Sequence, residues 1–240
     1  MSYYEISLPS LVLMLIPMII VMGIYYKWAL KVETIIYATV RMVVQLLLVG
    51  YALVVIFKQS DPYISSAIII VMFFVAAWIA LRPIQKYRRQ YYFRALIAIT
   101  AGGLPILCLV VFGVIGLKPW YAPRYLIPLA GMIFANSMNS VSLCAERLHA
   151  EIEKGSKWED ARGVAYQTGL IPLVNSFFAV GLVSLPGMMT GQILAGMSPL
   201  MAVRYQIMVM CMVLGAAGIA CAVFLCLIKK SIQCDESVRR

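Results

Sequence analysis

Arg124–Gly155 reads RYLIPLAGMIFANSMNSVSLCAERLHAEIEKG, and its two halves are written for different solvents. From Tyr125 to Ala145 the residues are apolar or small, with Asn136 and Asn139 the only amides. From there on Glu146, Arg147, His149, Glu151, Glu153 and Lys154 crowd in. Only Pro128 interrupts, in the first turn, where a proline is tolerated. Arg124 to Lys154 as one helix extends roughly 45 Å at 1.5 Å per residue, against a hydrocarbon layer of about 30 Å. The pattern predicts a helix that crosses a bilayer and projects into water, with Gly155 as its left-handed stop.

The rest of the chain agrees with that solvent. Of 240 residues, 63% are hydrophobic and 12% charged, and the mean hydropathy is +0.91; a soluble domain carries about 25% charged residues. No stretch alternates with the period-two pattern of an outer-membrane barrel. The expectation is a single all-α membrane domain over 1–240. Its spans are predicted near 8–27, 34–57, 63–81, 93–115, from Arg124, and 199–228, with a broken apolar segment at 171–196 as a seventh passage. The first apolar stretch is followed, not preceded, by Lys27 and Lys31, unlike a cleaved signal peptide, and is read as a retained first span.

The net charge of +10 does not indicate nucleic acid, because the basic residues sit in short loops between apolar spans. With the N-terminus outside, the inner segments 27–33, 82–94, 146–170 and the tail from Lys229 hold fifteen of the twenty Lys and Arg. Outer connections hold four, Lys58, Lys118, Arg124 and Arg204, and Arg41 lies within a span. This positive-inside bias fits about seven crossings, N-terminus out and C-terminus cytoplasmic.

After the stop, Ser156-Lys157-Trp158-Glu159 has the S-x-x-E form of a capping box, opening a helix of about twelve residues within a cytoplasmic elbow at 146–170. Trp158, Ala161, Ala165 and Thr168 recur on one face. Two readings stand: an interfacial helix lying on lipid, or a coupling helix docking on a soluble partner. The mixed charge of Lys157, Glu159, Asp160 and Arg162 favours the protein partner. The residues expected to carry coupling are Gly155, Trp158, Glu159, Arg162 and Ala165.

Gly181–Gly191 reads GLVSLPGMMTG. Pro186-Gly187 in mid-segment breaks a helix. Broken backbone at membrane depth is tolerated where it is buried in protein or lines a cavity, and such breaks mark transport pathways. The alternative is a kink, or a tight helix crossing through the G-x-x-x-G of Gly187 and Gly191. Ser198-Pro199 supplies an N-cap and N1 for the last helix.

All ten acidic residues fall outside the spans, and the single histidine, His149, lies on the cytoplasmic extension. Proton-driven transport, which uses intramembrane Asp, Glu or His, is disfavoured. Intramembrane hydrolysis lacks a Ser-His, paired-Asp or H-E-x-x-H set, and no G-x-x-x-x-G-K-[ST] loop is present. Any ATP and Mg²⁺ must sit on another chain; none is expected on this one. The six cysteines form no C-x-x-C pair and are read chiefly as small hydrophobes.

Few polar groups remain inside. Arg41 and Gln45 are one turn apart, the Arg facing the bundle or snorkelling to the inner surface. Met132, Asn136 and Asn139 make one stripe, as interhelical glue or pathway lining. Gln192 and Gln206 could face the same space, and Met188 and Met189 could serve as soft ligands or as packing. The pathway is expected to involve Arg41, Gln45, Met132, Asn136, Asn139, Pro186, Gly187, Met188 and Gln206. The identity of any metal site is left open.

Ile127-Pro-Leu-Ala-Gly-Met132, Asn136-Ser-Met138, Gly181–Gly191, Tyr205-Gln-Ile-Met-Val209 and Arg41-x-x-x-Gln45-Leu-x-x-x-Gly50-Tyr51 together resemble the FetB-type permeases of ATP-binding-cassette transporters. The resemblance covers nearly the whole chain. It implies a permease in the bacterial inner (cytoplasmic) membrane, paired with a separate FetA-type ATPase and implicated in iron export. Plant relatives are linked to aluminium tolerance, with a nucleotide-sugar suggested as cargo. It leads us to expect two permease copies meeting two ATPase chains, with 156–169 at the coupling position. The rival from a different class is a membrane scaffold that recruits a soluble protein through the same elbow.

Overall fold

The computed structural model describes residues 7–59 and 61–239; the side chains of 8, 58, 59 and 230–239 lie outside that description. The tail charges beyond Lys229, Lys58 and Cys234 are among them, so that part of the charge count and that cysteine carry no structural statement.

The described secondary structure is helical throughout, save one isolated bridge between Val180 and Ser184. The elements are α1 (Leu8–Val12), α2 (Leu15–Lys27), α3 (Val32–Gln59), α4 (Pro62–Ala80), α5 (Arg88–Cys108), α6 (Pro123–Glu153), α7 (Trp158–Ala179), α8 (Gly187–Leu194) and α9 (Pro199–Arg239). A 3₁₀ turn (Gln85–Tyr87) leads into α5, and a π-helical turn (Leu109–Val114) ends it. Six helical stretches are long and apolar enough to cross a membrane: Pro9–Lys27, Val32–Phe57, Pro62–Ala80, Gln85–Val114, Pro123–Glu153 and Pro199–Lys229. They match the six uninterrupted spans read from the sequence. The chain is therefore a polytopic helical membrane protein.

Two compact units divide it, Met1–Lys58 and Gln59–Arg240. In the first, Ser7 caps α1 by accepting from Ser10 N at 3.3 Å. The turn after α2 passes through Ala29 at φ 55°, and Thr39 donates to Met18 Sδ at 3.4 Å, tying α3 to α2. None of the described side chains of α2 and α3 is buried.

The second unit has a core, built by small residues. Gly102 and Gly103 of α5 press against α9 and α6: a Cβ at Gly102 would meet Ala220 N at 2.7 Å and Ala216 O closer still, and one at Gly103 would meet Ile133 at 2.9 Å. Ala216, Ala217 and Ala220 are fully buried. In lipid, where no hydrophobic force draws helices together, small residues allow the backbone approach that van der Waals packing needs. Phe73 of α4 and Phe134 of α6 fill the adjoining layer, with ring centroids 4.1 Å apart.

Neighbour pairs fix the direction of each helix in this unit. Arg88 of α5 donates to Trp78 O near the end of α4. Tyr87, immediately before α5, and Tyr91 in its first turn stack on His149 near the end of α6, at 4.7 and 5.7 Å. Gly218 of α9 lies beside Tyr166 and Leu170 of α7, and Val203 and Gln206 share a cavity with Phe177 and Val180. The α4–α5 turn, the α6–α7 turn and the latter part of α9 thus gather at one end, while α6 and α9 begin at the other. Arg82, Lys86, Arg88, Arg89, Arg147, Lys154, Lys157, Arg162 and Lys229 belong to the first end; Lys118, Arg124 and Arg204 belong to the second. Between Trp158 and Pro199 the chain passes from one end of this unit to the other.

Candidate functional site

The elbow forms as a tight turn between α6 and α7. Lys154 is the C-cap of α6, Gly155 follows at φ +84°, and Ser156 N bonds back to Glu151 O at 3.1 Å. This is the glycine stop expected from the sequence. The capping box is not made: Lys157 is the N-cap of α7, and Ser156 Oγ donates instead to Glu151 Oε2 at 3.1 Å. Glu151 is already the local hub, bonded by Arg147 at 2.8 Å and Lys154 at 3.4 Å, so it takes the hydroxyl that Glu159 would have faced. Glu159 and Asp160 remain in the first turn of α7, where their charge suits the helix dipole.

Beyond the elbow the structure differs from the expected short helix. The stretch 158–179 is one helix of 22 residues that continues through Leu170-Ile171-Pro172. The reason is packing against α6. Gly169 sits so close that a Cβ there would lie 2.8 Å from Ser140 O and 3.1 Å from Cys144 Cβ. A helix clamped at mid-length tolerates the missing N–H of Pro172. The face carrying Trp158, Ala161 and Ala165 is the packed face, with Trp158 8% exposed and both alanines at 0%. Trp158 and Ala165 therefore seat α7 against its neighbours. Gly155, Glu159 and Arg162 stay exposed.

At the far end of α7 the chain breaks. Gly181 has φ +83° and its N–H bonds Ser184 O at 3.0 Å, a small loop that ends with Pro186 as N-cap of α8 and Gly187 as its first residue. A Cβ at Gly187 or Gly191 would meet nothing within 4 Å, so within this chain the two glycines make no tight crossing. The break lies in the loop just before Pro186-Gly187.

The expected pathway residues divide. Arg41 and Gln45 belong to the first unit and are exposed. On α6, Met132 and Asn136 are half-buried and Asn139 is exposed; Asn136 Nδ2 donates to Met132 O of its own helix at 2.8 Å. Met188 and Pro186 are half-buried beside the break. Gln206 of α9 is 7% exposed, and its Oε1 has no partner among the described residues. It borders a cavity of about 340 Å³ with Phe177, Gly181, Met189, Met210 and Cys211. Another cavity, of about 270 Å³, lies between α4 and α5 and is lined almost wholly by apolar groups. Among the described residues no group of three or more His, Cys, Asp or Glu is placed to hold a metal ion.

Sequence reasoning missed two features: Gly102 and Gly169 as contact points, and Met210 with Cys211 as cavity wall. For Gly102 the signal lay in the small-residue runs Ala101-Gly-Gly103 and Gly215-Ala-Ala-Gly-Ile-Ala220. The second was hidden because methionine and cysteine in a span also read as packing.

The chain matches an uncharacterised protein family, UPF0014, over residues 8–158 and 157–232. It is 38% identical to the UPF0014 membrane protein slr1647 of Synechocystis over 72% of this chain and 73% of that protein. It is 34% identical to a protein of Escherichia coli named "Probable iron export permease protein FetB", over 92% of this chain and 90% of the relative. It is 29% identical to the protein named ALUMINUM SENSITIVE 3 of Arabidopsis thaliana over 88% of this chain and 81% of that one. No solved structure matches it.

Proposed function

The chain belongs to the uncharacterised protein family UPF0014, and from that premise we propose that it is the membrane-spanning permease subunit of an ATP-driven exporter, working with a separate ATPase chain. Iron is the first cargo to test, since the Escherichia coli relative is named for iron export. The basic end of the second unit faces the cytoplasm by the positive-inside rule, and there the exposed Gly155, Glu159 and Arg162 meet the ATPase.

The observation that carries this reading is the continuity of α7. A helix of 22 residues extends roughly 33 Å, with the elbow at one end and the Gly181–Pro186 break at the other. A push on the elbow is transmitted along a rigid rod, pivoting where Gly169 touches α6, to the part of the second unit where the backbone is irregular. Two permease copies receive two ATPase chains in this scheme. ATP and Mg²⁺ are handled by the ATPase; this chain moves.

The test is ATP hydrolysis in nanodiscs by the chain purified with the ATPase encoded beside it, with Fe²⁺ and other cargoes added singly. Stimulation by a cargo, abolished by Glu159→Lys with Arg162→Glu while the chain still inserts and folds, is the expected result. A chain that forms no complex with that ATPase overturns the proposal.

A further inference from the structure

We infer that the cavity at the break is a binding site for a soft, monovalent metal cation, of which copper(I) is the representative, held by Met189, Met210, Cys211 and Gln206. The inference rests on the permease reading, and it puts copper(I) in place of iron as the cargo that this site would take.

Four observations meet here. Met189 of α8 and Met210 and Cys211 of α9 all border the same cavity of about 340 Å³, which brings two thioethers and a thiol to one space. Gln206 borders it too, more than nine-tenths buried, with an amide oxygen that lacks any partner among the described residues. A buried unpaired oxygen is destabilising, and a bound cation or donor removes that cost. The sequence concentrates sulfur in this region: seven of the fifteen methionines fall between Met188 and Met212, about a tenth of the chain. Finally, Gln206 and Met210 lie seven and eleven residues past the start of α9, roughly 10–17 Å along its axis. That is near the mid-depth of a bilayer, where transporters place cargo beside broken helices.

The donor set selects the ion. Thioether and thiol sulfur prefer soft metals such as copper(I), whereas iron(II) and manganese(II) do better with carboxylate, imidazole and water. No carboxylate or imidazole borders this cavity. Charge selects in the same direction. Binding deprotonates Cys211, which releases its proton to solvent and leaves one thiolate. One thiolate and one monovalent cation sum to zero; a divalent ion would leave an uncompensated charge in an apolar wall, which is strongly disfavoured.

The experiment uses the full chain alone in nanodiscs, without an ATPase, under anaerobic conditions. Cys108, Cys226 and Cys234 are changed to Ser, and the buried, mutually contacting Cys144 and Cys221 to Ala, so that other thiols do not compete. Copper(I), and silver(I) as its redox-inert analogue, are titrated against a chromophoric chelator, with Fe²⁺ in parallel. The expected result is one copper(I) per chain with a sulfur-dominated X-ray absorption edge, and little competition from Fe²⁺. Met210→Leu and Cys211→Ser each weaken binding about tenfold or more, and Leu for Met conserves volume, so the fold is kept. Undiminished binding in the Met210→Leu, Cys211→Ser double variant, or Fe²⁺ displacing copper(I) at equal concentration, overturns the assignment. Absence of copper(I) binding by a chain whose ATPase complex still responds to another cargo also overturns it, and leaves the permease standing. Copper(I) binding by a chain that forms no ATPase complex keeps the site and removes the permease.

Discussion

The two halves of α9 sit in opposite surroundings. From Met212 to Ile228 it buries Met212, Val213, Ala216, Ala217, Ala220, Cys221, Phe224, Leu225 and Ile228 against its neighbours. From Leu200 to Ile207 it leaves Leu200, Met201, Val203 and Ile207 open. α7 repeats the contrast: Trp158, Ala161, Ala165, Gly169 and Leu173 are buried, yet Phe178 is 76% exposed and the loop residues Leu182 and Val183 are more so. At the basic end, small residues let backbones touch; at the break, many bulky apolar residues are exposed in the described structure. Close packing of that kind makes an element move as a unit, while sparse contact leaves local opening cheap. The difference separates a frame that transmits force from a region that can yield to it.

The sharpest way to break this contrast is to give glycines on both sides the same side chain. At Gly102 a leucine would drive into Ala216 and Ala220 backbone, and at Gly169 into Ser140 O, where nothing can rotate away. Overpacking costs about 1–3 kcal/mol and occasionally more, and a backbone clash belongs at the upper end. Gly102→Leu and Gly169→Leu are expected to yield no monodisperse protein on size exclusion. Gly187→Leu, with open space around it, is expected to fold within about 0.5 kcal/mol of the parent. A folded Gly102→Leu chain means that α5 and α9 are not in register as described.

A smaller effect is expected on activity alone. If the break is where the rod's motion is spent, stiffening it uncouples ATP hydrolysis from cargo without loosening the frame. Pro186→Ala with Gly187→Ala replaces an interrupted start by two good helix formers and favours continuation of α8 into the loop. The expected outcome is an unchanged thermal midpoint and cargo-stimulated ATPase activity reduced about tenfold. Unchanged stimulation would place the moving part elsewhere.

The sequence made the frame's existence legible and its joints less so. Long apolar runs and basic loops gave the spans because hydropathy and charge act locally along the chain. Gly155 was readable because a helix stop has local chemistry. The surroundings of Trp158 and Ala165 were not legible for a physical reason: a stripe at helical spacing reveals that a face is covered, not what covers it. Here α6 covers it. Pro172 misled in the same way, since its local penalty was outweighed by the contact at Gly169, which no propensity records. Gln206 was readable as a polar residue in a span, but its lack of a partner depends on three other segments folding around it.

The finest test compares two glycines of equal conformation on the two sides of the contrast. Gly155 at the elbow has φ +84° and Gly181 at the break has φ +83°. For an L-residue the left-handed region costs roughly 1–2 kcal/mol, so alanine carries the same intrinsic penalty at both. What differs is relief. Gly155 is held from both sides: its N–H bonds Ile152 O, Ser156 N and Oγ both bond Glu151, and α7 is clamped to α6 beyond. No neighbouring turn can shift to share the strain, and Gly155→Ala should show about 1 kcal/mol of destabilisation. Gly181 donates to Ser184 O and its loop turns back on Ala179 O through the N–H groups of Leu182, Val183 and Ser184, but the loop side chains Leu182 and Val183 are exposed and no helix is clamped on it. Its loop can readjust, so Gly181→Ala should cost less than half as much. Thermal midpoints of the two variants in one detergent decide it. Equal losses would mean that the break is as rigid as the elbow, and then α7 has nowhere to deliver its motion.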